Sequence, residues 1–340
     1  MRALIVGAGA VGRYIAARLK LAGHDPVLLA RSPAPAGATG EYVLSMQGAG
    51  RWVNVPTAVL GDDPWLRDPF ELTAFAVKAY STAGAIESVR AIAACANSTL
   101  LTLQNGLGNE ELCAAAFGED RVVAGALTTA VDKTADGITA SNRGGLSIAP
   151  VGKLPHNWLI AALALTGIET SAVADWRALK WSKLCINIQA NAVCAILDWT
   201  PEQVYADARA FSVERRCLLE ATEVMRALGL APVPLVDFPV PLLVAAARML
   251  PAPILRMVLA SRVAKARGGK LPSLLIAARQ RHTQTEVDAL NGAVAQRGGA
   301  AGMKTPANAA VARVLDGILG GTIAWDDYRG KPEALISAIG

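Results

Sequence analysis

The sequence predicts an α/β domain followed by an all-α domain. Two observations carry this. Short apolar, strand-like runs alternate with helical spacing up to Ser171, and long helical patterns take over beyond it. The chain has 340 residues, which suits two domains at roughly 100–200 residues each. The boundary is placed near residue 174, giving domains 1–174 and 175–340.

The elements follow in order. Ala3 to Val6 is a strand ending at Gly7, helical spacing runs from Val11 to Leu21, and Asp25 to Ala30 is a second strand. Strand, glycine turn, helix and strand open a parallel sheet. Pro33 to Gly40 is a Pro/Gly/Ala loop, and Tyr42–Met46 with Trp52–Val55 reads as a hairpin. Phe75–Val77 and Leu100–Leu103 are further strands, with a helix over Thr82–Ala96 between them. Val122–Ala126 and a β region over Ile138–Ile148 complete the first half. The second half predicts helices over Trp176–Leu197, Pro201–Leu228, Pro272–Arg297 and Pro306–Leu319.

Composition narrows the function classes. The formal charge is 33 − 28 = +5, without long Lys/Arg runs. That argues against a nucleic-acid footprint and suits small anionic ligands. Five cysteines form no CxxC pair, and three scattered histidines show no metal-ligand spacing. Reduced thiols and a cytoplasmic location fit best. The N-terminal run lacks the order of a secretory signal. The apolar stretch Val233–Ala264 is broken by Pro239, Pro241, Pro251 and Pro253. It predicts two short helices rather than a membrane span, and either a homodimer surface or extra core.

Six constellations carry chemistry. Gly7-Ala8-Gly9-Ala10-Val11-Gly12 follows a strand and opens a helix. Gly7 allows the tight turn, Gly9 lets a pyrophosphate approach, and Gly12 lets helix pack on strand, the Rossmann fingerprint of a dinucleotide site. Arg31 follows the second strand where an NAD site carries an acid. A guanidinium there suits a 2′-phosphate, so the cofactor predicted is NADP(H). A surface Arg is the plain alternative. Lys78, after the third parallel strand, faces the same crevice or solvent. Gln104-Asn105-Gly106 follows the next strand and brings Asn105 to the crevice, or is a simple Asn-Gly turn. Lys183, Asn187 and Asn191 stand at i, i+4 and i+8, one face of a helix. The segment Trp181–Leu197 is otherwise rich in apolar residues, so the stripe is either a polar face toward solvent or buried Lys and Asn that need partners such as a ligand carboxylate or ketone. Finally, Glu286 lies in Thr283-Gln284-Thr285-Glu286, which by itself reads as a helix-capping box.

Taken together, these motifs resemble the ketopantoate reductase (2-dehydropantoate 2-reductase) family. Thr285-Glu286-Val287-Asp288 and Thr305-Pro306-Ala307-Asn308 belong to the same pattern, and the resemblance covers nearly the whole chain. It implies a Rossmann domain and a helical domain of the 6-phosphogluconate dehydrogenase type, with the active site in a cleft between them. It also implies an NADPH-dependent reduction of a 2-oxoacid, first 2-dehydropantoate in pantothenate biosynthesis. Lys183 would be the general acid, Asn105 would sit near nicotinamide and substrate, and Asn187, Asn191 and Ser273 would hold the substrate. Glu286 would bind the substrate hydroxyl and orient Lys183. Gly7 to Gly12, Arg31, Lys78 and Asn105 would meet the cofactor.

The sequence departs from the family pattern in Ser273-Leu274-Leu275-Ile276-Ala277-Ala278. A serine that helps hold the substrate carboxylate is replaced by Leu274, and an aspartate by Ala278. Both changes bear on the substrate. Another small 2-oxoacid, or a non-catalytic NADP-binding sensor, are the alternatives. A sensor would need neither Lys183 nor Glu286.

Overall fold

The computed structural model describes residues 1–31, 41–46, 49–267 and 271–340. The loop expected over Pro33–Gly40 lies outside the described residues. The chain divides into two compact units. The first holds Met1–Gln104, Gly108–Lys180 and Leu235–Phe238; the second holds Asn105–Leu107, Trp181–Pro234 and Pro239–Gly340.

In the first unit the elements run β1 (Arg2–Val6), α1 (Ala10–Leu21), β2 (Asp25–Ala30), β3 (Glu41–Met46), β4 (Ala49–Asn54), β5 (Thr57–Val59), β6 (Leu72–Phe75) and α2 (Thr82–Arg90). They continue through β7 (Thr99–Thr102), α3 (Asn109–Phe117), β8 (Val122–Leu127), β9 (Val131–Lys133), β10 (Gly137–Ala140), β11 (Leu146–Pro150), α4 (Asn157–Leu165) and β12 (Thr170–Ala172). The larger sheet has the order β12-β11-β8-β7-β6-β1-β2-β5. From β5 to β8 every pairing is parallel. This is the doubly wound Rossmann order, whose direction reverses between β1 and β6.

Buried side chains alternate along β1. Ala3 and Ile5 join a core with Tyr14, Ile15 and Leu19 of α1. Leu4 and Val6 join a core with Ile86 and Val89 of α2 on the opposite face. A strand covered on both faces reads as one continuous apolar run, as Ala3–Val6 does. A second sheet, β4-β3-β10-β9, supplies Leu44, Val53 and Ile138 to the α1 core. The hairpin of β3 and β4 is as expected from the sequence.

Several boundaries differ from expectation. The strand expected at Phe75–Val77 is Leu72–Phe75; Ala76 and Val77 already belong to the turn beyond it. The helix expected over Thr82–Ala96 ends at Arg90, and a separate short turn, Ala93–Cys95, follows.

The second unit contains most of α5 (Trp176–Asn187), then α6 (Ala192–Leu197), α7 (Pro201–Ala206), α8 (Ala208–Ala227), α9 (Val240–Met249), α10 (Ala252–Arg267) and α11 (Ser273–Arg279). A one-turn π-helix (Asp288–Gly292), α12 (Ala293–Ala300), α13 (Pro306–Leu319) and α14 (Pro332–Ile339) complete it. The Pro-broken segment forms two helices, α9 and α10, with Leu242, Met249 and Met257 exposed. Among the described residues no helix is long and apolar enough to cross a membrane.

The long helices expected over Trp176–Leu197, Pro201–Leu228 and Pro272–Arg297 are each broken. Asp207 interrupts the second, because its carboxylate accepts the N–H groups of Arg209 and Ala210 and starts α8 afresh. Arg281, with φ +55°, ends the turn after α11. The break in the first falls within the candidate site.

Candidate active site

The glycine turn behaves as its three positions require. Gly7 has φ +111°, a left-handed value that favours glycine. A Cβ on Gly12 would overlap the Gly7 carbonyl oxygen, so helix and turn meet backbone to backbone. A Cβ on Gly9 would meet nothing within 4 Å, and Gly9 is exposed at the N-terminus of α1. Two of the glycines therefore serve packing, while the third leaves an open approach to free N–H groups. That is the cradle a pyrophosphate needs. Arg13, not singled out from the sequence, donates through Nε to the Ala8 carbonyl at 3.2 Å and ties the turn to its helix.

The loops after β1 and β6 are neighbours, since a Cβ on Gly7 would lie 2.9 Å from Val77 Cγ1. Lys78 follows directly, exposed at the carboxyl end of the sheet where the strand order reverses. Arg31 is exposed immediately after β2. Turn, Lys78 and Arg31 thus share the carboxyl edge of one sheet, and the residues present fit a dinucleotide.

On the second unit, Asn187 Nδ2 donates to Asn105 Oδ1 at 2.9 Å. Two residues singled out separately in the sequence therefore meet. Lys183 lies one helical turn before Asn187 on α5, and both are half-buried. The segment carrying Asn105 packs on the π-helix. Leu107 N–H donates to the Ala289 carbonyl at 3.0 Å. Gly106 has φ +85°, and any Cβ there would overlap Ala289.

Asn191 does not continue the Lys183–Asn187 face. The helix stops at Asn187, Ala190 takes φ +47°, and Asn191 begins α6. The physical reason is Glu214, fully buried on α8. Its carboxylate accepts the Ala190 N–H at 2.8 Å, and its backbone carbonyl accepts Gln189 Nε2 at 3.1 Å. Asn191 instead bridges two elements. Nδ2 donates to the Asn187 carbonyl at 3.1 Å, and Oδ1 accepts the Leu274 N–H at 3.2 Å. Ser273 is exposed at the start of α11, while Leu274 and Ala278 are buried.

Glu286 is buried, and no helix starts at Thr283 as a capping box would require. The first turn beyond it is the π-helix, where Leu290 N–H reaches the Glu286 carbonyl and Gly292 N–H reaches that of Val287. Such π turns are frequent at functional sites. The Thr305–Asn308 motif serves the scaffold. Glu220 accepts the N–H groups of Ala307 and Asn308 at 2.8 and 2.9 Å, satisfying donors at the start of α13. Asn308 Oδ1 accepts Asn291 Nδ2 at 2.9 Å, linking α13 to the π-helix.

The five cysteines are free and buried. Burial pushes the Cys185 thiol up to about 12, and burial with the Glu110 charge does the same to Cys113. Neither thiol is a ready nucleophile at neutral pH.

The doubly wound sheet with its glycine turn is the fold of a dinucleotide-binding protein. The family models described as ketopantoate reductase PanE/ApbA and its C-terminal domain match residues 3–152 and 175–318. The chain belongs to this family. It is 26% identical to a 2-dehydropantoate 2-reductase of Archaeoglobus fulgidus, covering 94% of this chain and 98% of the relative. It is 27% identical to one of Caulobacter vibrioides, covering 92% and 97%. Among solved structures, a D-mandelate dehydrogenase with NADH and anilino(oxo)acetate superposes with TM-score 0.79 at 18% identity, covering 94% and 99% of the two chains. A 2-dehydropantoate 2-reductase from Geobacter metallireducens gives TM-score 0.77 at 23% identity, covering 93% and 99%. The first unit is the Rossmann-like domain of this fold, and the second is its helical domain.

Proposed function

We propose that the protein reduces the ketone of a small 2-oxoacid to a 2-hydroxy acid with NADPH, with 2-dehydropantoate as its first substrate. The observation that carries this reading is the Asn187–Asn105 hydrogen bond. It joins Asn105 to a side chain one helical turn from Lys183, two polar positions far apart in sequence. When bound, the cofactor supplies the hydride. Lys183 places an ammonium at the substrate oxygen, balances the charge that develops there and delivers the proton. Glu286 accepts the substrate hydroxyl and orients Lys183. Asn105 and Asn187 hold the reacting carbonyl. Asn191 acts partly through the Leu274 N–H, by fixing the end of α11 that carries Ser273. Gly7 to Gly12 and Lys78 hold the cofactor phosphates. The retained Lys183 and Glu286 speak against a non-catalytic sensor.

Arg31 selects NADPH through its 2′-phosphate. Arg31→Ala is expected to weaken NADPH binding tenfold or more and NADH binding little, because a charged hydrogen bond contributes roughly 1.5–3 kcal/mol. Fluorescence titration with each cofactor checks this, and equal losses would remove Arg31 from the site.

A second reading keeps the reaction and enlarges the substrate. Leu274 and Ala278 are buried and apolar, where the family pattern carries a serine and an aspartate. The structural neighbour with anilino(oxo)acetate is a D-mandelate dehydrogenase, which makes aromatic 2-oxoacids worth including. NADPH oxidation is measured with 2-dehydropantoate and with straight, branched and aromatic 2-oxoacids. Reduction of none of them would reject the proposed function. Preference for a bulkier acid, reversed in Leu274→Ser, would favour the second reading. The exposed Leu242, Met249 and Met257 of α9 and α10 suit a homodimer surface.

A further inference from the structure

A fully buried ion pair lies apart from the residues given catalytic roles above. Lys180 stands one turn before Lys183 on α5, and Glu110 lies in the first turn of α3. Their side chains are 1% and 0% exposed, with Nζ 2.9 Å from Glu110 Oε1. The ammonium also donates to the backbone carbonyls of Gln104 at 2.7 Å and Gly125 at 3.3 Å. An ammonium has three protons, and here each has a partner. Glu110 Oε1 accepts Thr102 Oγ1 as well, at 2.6 Å.

Burying two charges is unfavourable, and apolar residues of similar volume often replace such a pair without loss of stability. Packing alone therefore does not explain it. What it holds is specific. The Gln104 carbonyl lies in the same peptide plane as the Asn105 N–H, and a peptide plane is rigid. The Gln104 side chain is held too, since Nε2 donates to Thr82 Oγ1 at 3.2 Å. On the other side of Asn105, Gly106 has no room for a side chain and Leu107 N–H is bonded to Ala289. Asn105 is thus bracketed on both sides, and Lys180 holds the plane that leads into it.

We infer that Lys180 is a positioning residue for Asn105, acting through the Gln104 carbonyl, with Glu110 as the counter-charge that keeps the ammonium buried. This rests on the proposed role of Asn105 in 2-oxoacid reduction. Lys180 touches neither substrate nor cofactor in this role. It sets the direction in which the Asn105 carboxamide is presented.

The test compares a single variant with neutral pairs. Lys180→Met alone leaves the Glu110 carboxylate buried and unpaired, and is expected to lose much of its stability. Lys180→Met with Glu110→Met, and Lys180→Met with Glu110→Gln, remove both charges. Each neutral pair is expected to melt near the parent protein and bind NADPH within about twofold of it, yet to turn over ten- to a hundredfold more slowly on the best 2-oxoacid. A crystal structure of a neutral pair is expected to show the Gln104 carbonyl turned and the Asn105–Asn187 hydrogen bond lost. A neutral pair with normal kcat, or with that bond intact, overturns the inference. So does failure of both pairs to fold, which would make the ion pair a folding element. If the parent protein reduces no 2-oxoacid, the proposed function fails, and the crystal structure still decides the positioning role.

Discussion

Lys183→Ala is expected to lower turnover by about 10²–10⁴-fold while NADPH still binds with nearly unchanged affinity. The expectation follows from charge. Hydride arriving at a ketone carbon leaves negative charge on oxygen, and a nearby ammonium both stabilises it and supplies the proton. Lys183 is half-buried on α5, one turn before the Asn187 side chain that engages Asn105. Truncation removes the donor and leaves the Asn187–Asn105 bond in place. Steady-state kinetics beside a cofactor titration read the split. Near-normal kcat in Lys183→Ala would take this residue out of the mechanism.

The second large effect separates two glycines of one motif. Gly12→Ala forces a methyl group into the Gly7 carbonyl oxygen. Because backbone must move to make room, the substitution is expected to destabilise by about 3 kcal/mol or more. Gly9→Ala meets no protein atom within 4 Å and should cost no more than about 1 kcal/mol at that cap position. Its methyl group instead projects into the pyrophosphate approach, so NADPH affinity should fall tenfold or more. Thermal melts and NADPH titrations on both variants show whether the effects separate. Tight NADPH binding by Gly9→Ala, or a native melt for Gly12→Ala, would contradict the roles given to the turn.

Where the determinants were local, the sequence was legible. The strand Asp25–Ala30 and the helix ending at Leu21 stand where apolar spacing and Gly7 place them. The helix over Pro306–Leu319 is likewise as expected, its start marked by Pro306. Non-local determinants were hidden. The regular spacing of Lys183, Asn187 and Asn191 suggests one continuous helix. What ends it is a carboxylate on α8, Glu214, and no local signal announces that Ala190 will adopt a positive φ. Lys180 looks like any lysine on an amphipathic helix until Glu110 and the Gln104 carbonyl surround it. Of the second sheet, the β3–β4 hairpin and the β region that contains β10 are as expected, whereas β9 is three residues long, below the length at which alternation is readable. Glu286 was readable as a cap by spacing alone. A π-helix stands beyond it instead, and only the family pattern pointed to a site role.

The central claim is hydride transfer from the nicotinamide to the carbonyl carbon of a 2-oxoacid. It is tested most directly by supplying NADPH deuterated at both positions of nicotinamide C4 and analysing the hydroxy acid formed. Transfer of one deuterium to C2 of the product, abolished or greatly slowed in Lys183→Ala, is the predicted result. Absence of a hydroxy acid with every 2-oxoacid supplied, or a product without deuterium at C2, would contradict it.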